Sequence, residues 1–191
     1  MNIDAQILLW INGHHLDWLD EVMWTASQTA TWWWLFVALI ILTIRKYRAW
    51  KPILLVIAGI AIAVGLSDFT CSSVIKPLVC RLRPTHEPAL EGMIHVVNGY
   101  TGGLYSFCSS HAANTMSCAL LFSLLYKNNI ATVCLMAWVA LNCYSRMYLG
   151  VHYPSDIIVG LLIGALWAVS VYWVLSHWLH VGDGAARQGG S

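Results

Sequence analysis

Charge is what this chain has least of. Only 10% of its 191 residues are Asp, Glu, Lys or Arg and 59% are apolar, whereas about 25% of an ordinary soluble domain is charged. Several apolar helices cannot be covered by so little polar surface, which speaks against a soluble domain. The formal net charge of +1 offers no long-range attraction to nucleic acid or to an acidic partner. The six cysteines form neither a CxxC pair nor a Cys/His zinc spacing, so no zinc site is expected. Cys118 and Cys134 fall inside apolar runs and read as small buried thiols. Cys71, Cys80 and Cys108 lie toward one face, where a disulfide between two of them stays open. A cleavable signal pattern is also missing, because Asp4 stands where basic residues belong and no small-residue cleavage site follows. With no internal repeat or low-complexity tract, the chain reads as one domain over residues 1–181. The polar stretch 182–191 is expected to be a flexible tail or a remnant of expression.

What the chain does have is apolar runs long enough to cross a bilayer, which takes roughly 20 mostly apolar residues. Five qualify: Val22 to Ile44, Pro52 to Ile75 interrupted only by Asp68, Phe107 to Tyr126 with His111, Asn128 to Ser145, and Ile157 to Ser176. The expected fold is all-α, a polytopic bundle of about five transmembrane helices. Ahead of them, residues 1–24 alternate apolar clusters with Asn12, Gly13, His14, His15, Asp17 and Asp20, the pattern of a broken amphipathic segment at the membrane interface. The link Arg45 to Lys51 holds four basic residues in seven, and short basic links stay cytoplasmic. Counting spans from that anchor brings both remaining polar clusters, residues 76–111 and 145–156, to the outer face, which for a bacterial inner membrane is the periplasmic one. The one long connection, residues 84–106, is rich in glycine and reads equally as a lid or as a passive connector.

Three clusters on that face carry chemistry. Pro154 suits the first position of a helix, which puts Asp156 in the first turn and His152 just before it. The carboxylate then reaches one imidazole nitrogen and leaves the other free and basic; a dipole-matching carboxylate beside an interfacial histidine is the plainer reading. Lys76 and Arg83, about two turns apart, share a face if the segment is helical despite Pro77. Such a pair suits an oxyanion, or else meets lipid headgroups as a basic cluster. Ser109 or Ser110 caps the next helix, and His111 sits at its positive end, where anions bind and a proton can pass to a leaving oxygen. An interfacial histidine on a capped helix is the competing reading. Asp68 lies within a span and calls for a partner, expected to be Lys76 or Arg146.

Taken in order, Lys76-x6-Arg83-Pro84, Ser109-x-His111 and Ser145-Arg146-x5-His152-x3-Asp156 resemble the three-part signature of the type 2 phosphatidic acid phosphatase (PAP2) superfamily. These are metal-independent, mostly membrane-bound lipid phosphatases related to vanadium-dependent haloperoxidases. The middle part usually reads Pro-Ser-Gly-His and here reads Cys108-Ser109-Ser110-His111, so a side chain is added beside the expected phosphate. The resemblance implies that His152 attacks phosphorus to form a phosphohistidine while Asp156 orients it. His111 would protonate the departing oxygen and afterwards activate water. Lys76, Arg83, Arg146, the Ser109 hydroxyl and the Ser110 N–H would hold the non-bridging oxygens, with Asp68 in support and neither metal nor cofactor required. The implied partners are the bilayer and a lipid phosphate: undecaprenyl diphosphate, lipid A, phosphatidylglycerol phosphate or phosphatidic acid. A phosphotransferase using the same site and a non-catalytic lipid-binding or transport protein are the competing functions, and the oligomeric state stays open.

Overall fold

The computed structural model describes residues 2–188, with side chains through Leu179; the expected tail, residues 182–191, lies outside the described side chains. Helices α1 (Ile3–Gly13) and α2 (Asp17–Ser27) form the N-terminal segment, broken as expected. Asn2 caps α1 by accepting the Ala5 N–H at 2.9 Å. Helix α3 (Trp33–Tyr47) leads through the basic link to α4 (Trp50–Phe69). A π-helical stretch, Thr70–Ile75, carries α4 on into the short α5 (Lys76–Val79). After the long connection come α6 (Ser110–Tyr126), α7 (Asn129–Tyr148) and α8 (Pro154–Gln188).

Among the described residues, four helical stretches are long and apolar enough to cross a membrane: Thr29–Tyr47, Trp50–Val79, Asn129–Tyr148 and Pro154–Leu179. The first begins later than the expected Val22, because α2 runs separately to Ser27. The remaining expected span is α6, which has 17 residues and is the inner helix of the bundle, packed by α8, α4 and α7. Its Ala112, Ala113, Ser117, Ala119 and Leu121 are completely buried. A helix wrapped by its neighbours needs less hydrophobicity than one facing lipid, so serines and a histidine are tolerated. Helices α3, α4 and α8 instead expose Ile41, Leu54, Ile62, Leu162 and Leu166, an outward apolar surface that suits hydrocarbon.

Two glycines one turn apart set the contact between α6 and α8. A Cβ on Gly164 would overlap the Ala113 carbonyl, and one on Gly160 would press on the Ser109 carbonyl. Small residues at this spacing allow helix backbones to approach closely. The Ser109 N–H donates to the Asp156 carbonyl at 3.0 Å, so the N-terminal ends of α6 and α8 are in register.

The N-terminal helices and the long connection close over that end. The buried Asn12 side chain donates to the carbonyls of Tyr148 (2.7 Å) and His95 (2.9 Å) and accepts the His95 N–H at 2.8 Å. The Tyr148 hydroxyl donates to Asp20 at 2.6 Å. Residues 84–106 are not the passive connector of the two readings: Leu90 and Val97 are buried, and short turns pack the segment as one wall of the site.

Candidate active site

Lys76 and Arg83 do not share a helix face. Helix α5 stops at Cys80, whose φ is +51°, and Arg83 is extended at φ −68°, ψ 153°, the conformation that the following Pro84 favours. Arg83 reaches the site from a strand-like run in which its N–H donates to the Leu104 carbonyl at 3.0 Å and the Ser106 N–H donates to the Arg81 carbonyl at 2.9 Å. Its Nε donates to the Tyr105 carbonyl at 3.2 Å. The guanidinium fills the space beside Gly102, which has φ +70° and could not carry a Cβ there.

Arg146 comes from the last turn of α7 and donates to the Tyr100 hydroxyl at 2.9 Å. The Lys76 ammonium donates to Ser110 Oγ at 3.3 Å, and Ser72 Oγ lies 2.8 Å from the same hydroxyl. Ser110 therefore fits where the family pattern has glycine, its added side chain taken up by Ser72 and Lys76. Ser109 is completely buried and accepts the Ala112 N–H at 3.4 Å as the α6 cap, which leaves its hydroxyl proton for another acceptor.

Among the described residues, no carboxylate lies within ion-pairing distance of Lys76, Arg83 or Arg146. Arg83 and Arg146 are 7% and 2% exposed, and Arg83 NH1 and Arg146 Nε are buried without any hydrogen-bond partner. A buried charge with no counter-ion is costly. A cluster of them with unused donors fits a multiply charged oxyanion such as phosphate.

His152 is 1% exposed and Asp156 is fully buried. The imidazole Nδ1 lies 3.4 Å from Asp156 Oδ2, a close approach but not a formed hydrogen bond. Oδ2 accepts the Tyr153 N–H at 2.9 Å, and Oδ1 accepts from Arg81 at 3.0 Å. Burial, followed by the positive charges of Arg83, Arg146 and Lys76 and by His111, holds His152 well below the ordinary histidine range. The ring is thus neutral near pH 7, with Nε2 free as a nucleophile. His111 stands in the first turn of α6, beside the backbone of Ser27. It borders an apolar cavity of about 150 Å³ lined by Trp32, Phe36, Trp138 and Asn142.

One expectation changes. Asp68 accepts from Asn114 Nδ2 at 3.1 Å rather than pairing with Lys76 or Arg146: the π-helical stretch between Asp68 and Lys76 breaks the regular helical spacing. The cysteines are all free thiols, with Cys71 and Cys108 in contact at 2.8 Å and Cys80 exposed. Three participants were not foreseen. Arg81 and Tyr100 hold Asp156 and Arg146, and Asp4 grips Arg81 across 77 positions. Arg81 had a local signal, a third cation two residues before Arg83; the other two had none.

Inorganic phosphate is expected to raise the thermal unfolding midpoint of the detergent-solubilised protein at constant ionic strength. Arg83→Met and Arg146→Met should each remove most of that rise. Full phosphate stabilisation in both variants would contradict an anion site built on these side chains.

Comparison with known proteins agrees with this geometry. The family model described as PAP2 superfamily matches residues 53–179. The chain is 32% identical over 174 residues to the lipid A 4'-phosphatase of Bacteroides thetaiotaomicron, covering 91% of this chain and 77% of that protein. It is 39% identical over 134 residues to the decaprenylphosphoryl-5-phosphoribose phosphatase of Mycobacterium tuberculosis, covering 69% and 66%. The crystal structure of a transmembrane PAP2 type phosphatidylglycerolphosphate phosphatase from Bacillus subtilis shares the fold, with a TM-score of 0.64 at 19% identity over 93% of this chain and 84% of that one. The family match over residues 53–179 and the bacterial relatives show that the chain belongs to the PAP2 superfamily, as a multi-pass membrane lipid phosphatase.

Proposed function

We propose that the protein removes a phosphate monoester from a lipid-borne sugar through a phosphohistidine at His152, on the periplasmic side of the inner membrane. The observation that carries this reading is a neutral, buried His152 facing three cations that have no counter-ion, with His111 between them and an apolar cavity. Lys76, Arg83 and Arg146 grip the non-bridging oxygens, aided by the Ser109 hydroxyl and the Ser110 N–H. Because Nδ1 faces Asp156, the attacking atom is Nε2. As the anionic phosphate enters and offsets the surrounding cations, His111 takes up a proton; as the N–P bond then forms, the P–O bond to the lipid breaks and His111 donates that proton to the departing oxygen. The neutral His111 then takes a proton from water, whose oxygen attacks phosphorus; the P–N bond breaks, and phosphate and free His152 are released. Charge stabilisation by preorganised groups supplies most of the acceleration in such a site, and the acid–base step adds roughly 100- to 10,000-fold.

The substrate class rests on the relatives. Lipid A is a phosphorylated glycolipid, and the mycobacterial relative is named for a phosphoribose on a decaprenyl carrier. The second name puts the phosphate on a ribose carried by a lipid, and the first puts it on a lipid. The cavity beside His111, on the leaving-group side, mixes aromatic rings with Asn114 and Asn142, which suits a sugar joined to apolar chains. The sidedness rests on charge. Lys46 donates to the carbonyls of Leu125 and Tyr126, at the end of α6 opposite His111, and a basic end stays inside.

Phosphate release from purified protein should be fastest with lipid A, slower with undecaprenyl diphosphate and phosphatidic acid, and at background for all three in His152→Ala. Near-normal turnover in that variant would sink the mechanism. Transfer of label to a second lipid without free phosphate would make the protein a phosphotransferase. In intact spheroplasts Cys80, exposed at the site end, should react with a membrane-impermeant maleimide. Protection until lysis would place the site inside.

A further inference from the structure

Asp156 does not stand alone behind His152. Its Oδ2 faces the imidazole and the Tyr153 N–H, while Oδ1 is occupied by Arg81 at 3.0 Å. Arg81 is held by several partners. It donates to Asp4 at 2.6 Å and to Ser155 Oγ at 2.7 Å, and it lies 3.8 Å over the Tyr153 ring. Asp4 also accepts the Ser155 N–H at 3.0 Å. Burial alone would push the Asp4 carboxyl up, but hydrogen bonds from Ser155 and Arg81 outweigh it and hold the group below the usual carboxylate range. Asp4 is therefore ionised at neutral pH.

We propose that Asp4 and Arg81 are a positioning pair for Asp156, which makes α1 part of the catalytic apparatus. The inference rests on the reading of His152 as nucleophile and goes beyond it by naming what aims the histidine. Two jobs are combined. Arg81 fixes the carboxylate so that Oδ2 points at Nδ1, at the single distance that governs the ring. Asp4 neutralises Arg81, so that Asp4, Arg81 and Asp156 together keep one net negative charge opposite the imidazole. That charge is needed because His152 becomes positive as its nitrogen bonds to phosphorus, while Lys76, Arg83, Arg146 and His111 face it from the other side. An unneutralised Arg81 would cancel Asp156. Neither Asp4 nor Arg81 touches the phosphate-holding cations, so phosphate affinity should not depend on them.

The test is single-turnover cleavage of a phosphorylated lipid with enzyme in excess, where the rate constant reports the reacting site and the amplitude reports how much protein is folded. Asp4→Asn and Arg81→Met are each expected to slow the rate constant by about 10- to 100-fold, the scale of a small misalignment, with inhibition by inorganic phosphate unchanged. Arg81→Lys and Asp4→Glu should recover most of the loss, since each restores the charge. Rate constants within about twofold of the parent in both Asn and Met variants, beside an inactive His152→Ala, would overturn the pairing. So would a loss confined to amplitude, which marks a merely structural role. An active His152→Ala would instead overturn the nucleophile assignment on which the pairing rests.

Discussion

Lys76, Arg83 and Arg146 converge without a counter-ion among the described residues, and the surrounding structure is arranged around that constraint. Each is held by a neutral group: the Ser110 hydroxyl, the Tyr105 carbonyl and the Tyr100 hydroxyl. Neutral dipoles fix the side chains without cancelling their charge. The nearest fully buried carboxylate, Asp156, is committed to Arg81 and the Tyr153 N–H, so it does not fold inward to quench them. The unfavourable energy of collecting like charges in a buried place is offset by the packing of the helices around them, and it becomes useful when a phosphate enters. Burial first, and then the same field, keep His152 unprotonated, so the cations that would bind the phosphate also help ready the nucleophile.

Packing between α6 and α8 turns this charge cluster into a reacting geometry. Gly160 and Gly164 bring α8 against the carbonyls of Ser109 and Ala113, and the Ser109 N–H locks onto the Asp156 carbonyl. In the proposed mechanism His111, in the first turn of α6, and His152, in the link just before α8, approach one phosphorus from opposite sides, and the glycine contact holds those two helix starts together. The long connection and α1 then cover the end of the bundle, through Asn12, Gly102 and Tyr100.

Much of this was legible in the sequence, because the signals were local. Apolar runs of membrane length marked α3, α4, α7 and α8, and the order and spacing of Lys76, Arg83, Ser109, His111, Arg146, His152 and Asp156 pointed to phosphoryl chemistry. What was not legible arises from contacts between distant segments or from breaks in regularity. Helical spacing placed Lys76 with Arg83 and Asp68 with Lys76, but a left-handed Cys80 and a π-helical Thr70–Ile75 intervene. Asp4 reads only as an acidic residue standing where a signal segment would have basic ones, and nothing near it announces a guanidinium 77 positions away. The inner place of α6 was hidden for a similar reason: hydropathy records how apolar a run is, not which of its neighbours surrounds it.

The central claim is that phosphate leaves the lipid onto His152. Rapid quenching of the enzyme during turnover of a phosphate-labelled lipid, followed by peptide mapping at alkaline pH, tests it directly. The account predicts acid-labile label on the peptide containing His152, absent from His152→Ala. Steady turnover with no label on the protein, or label on any other residue, would contradict it.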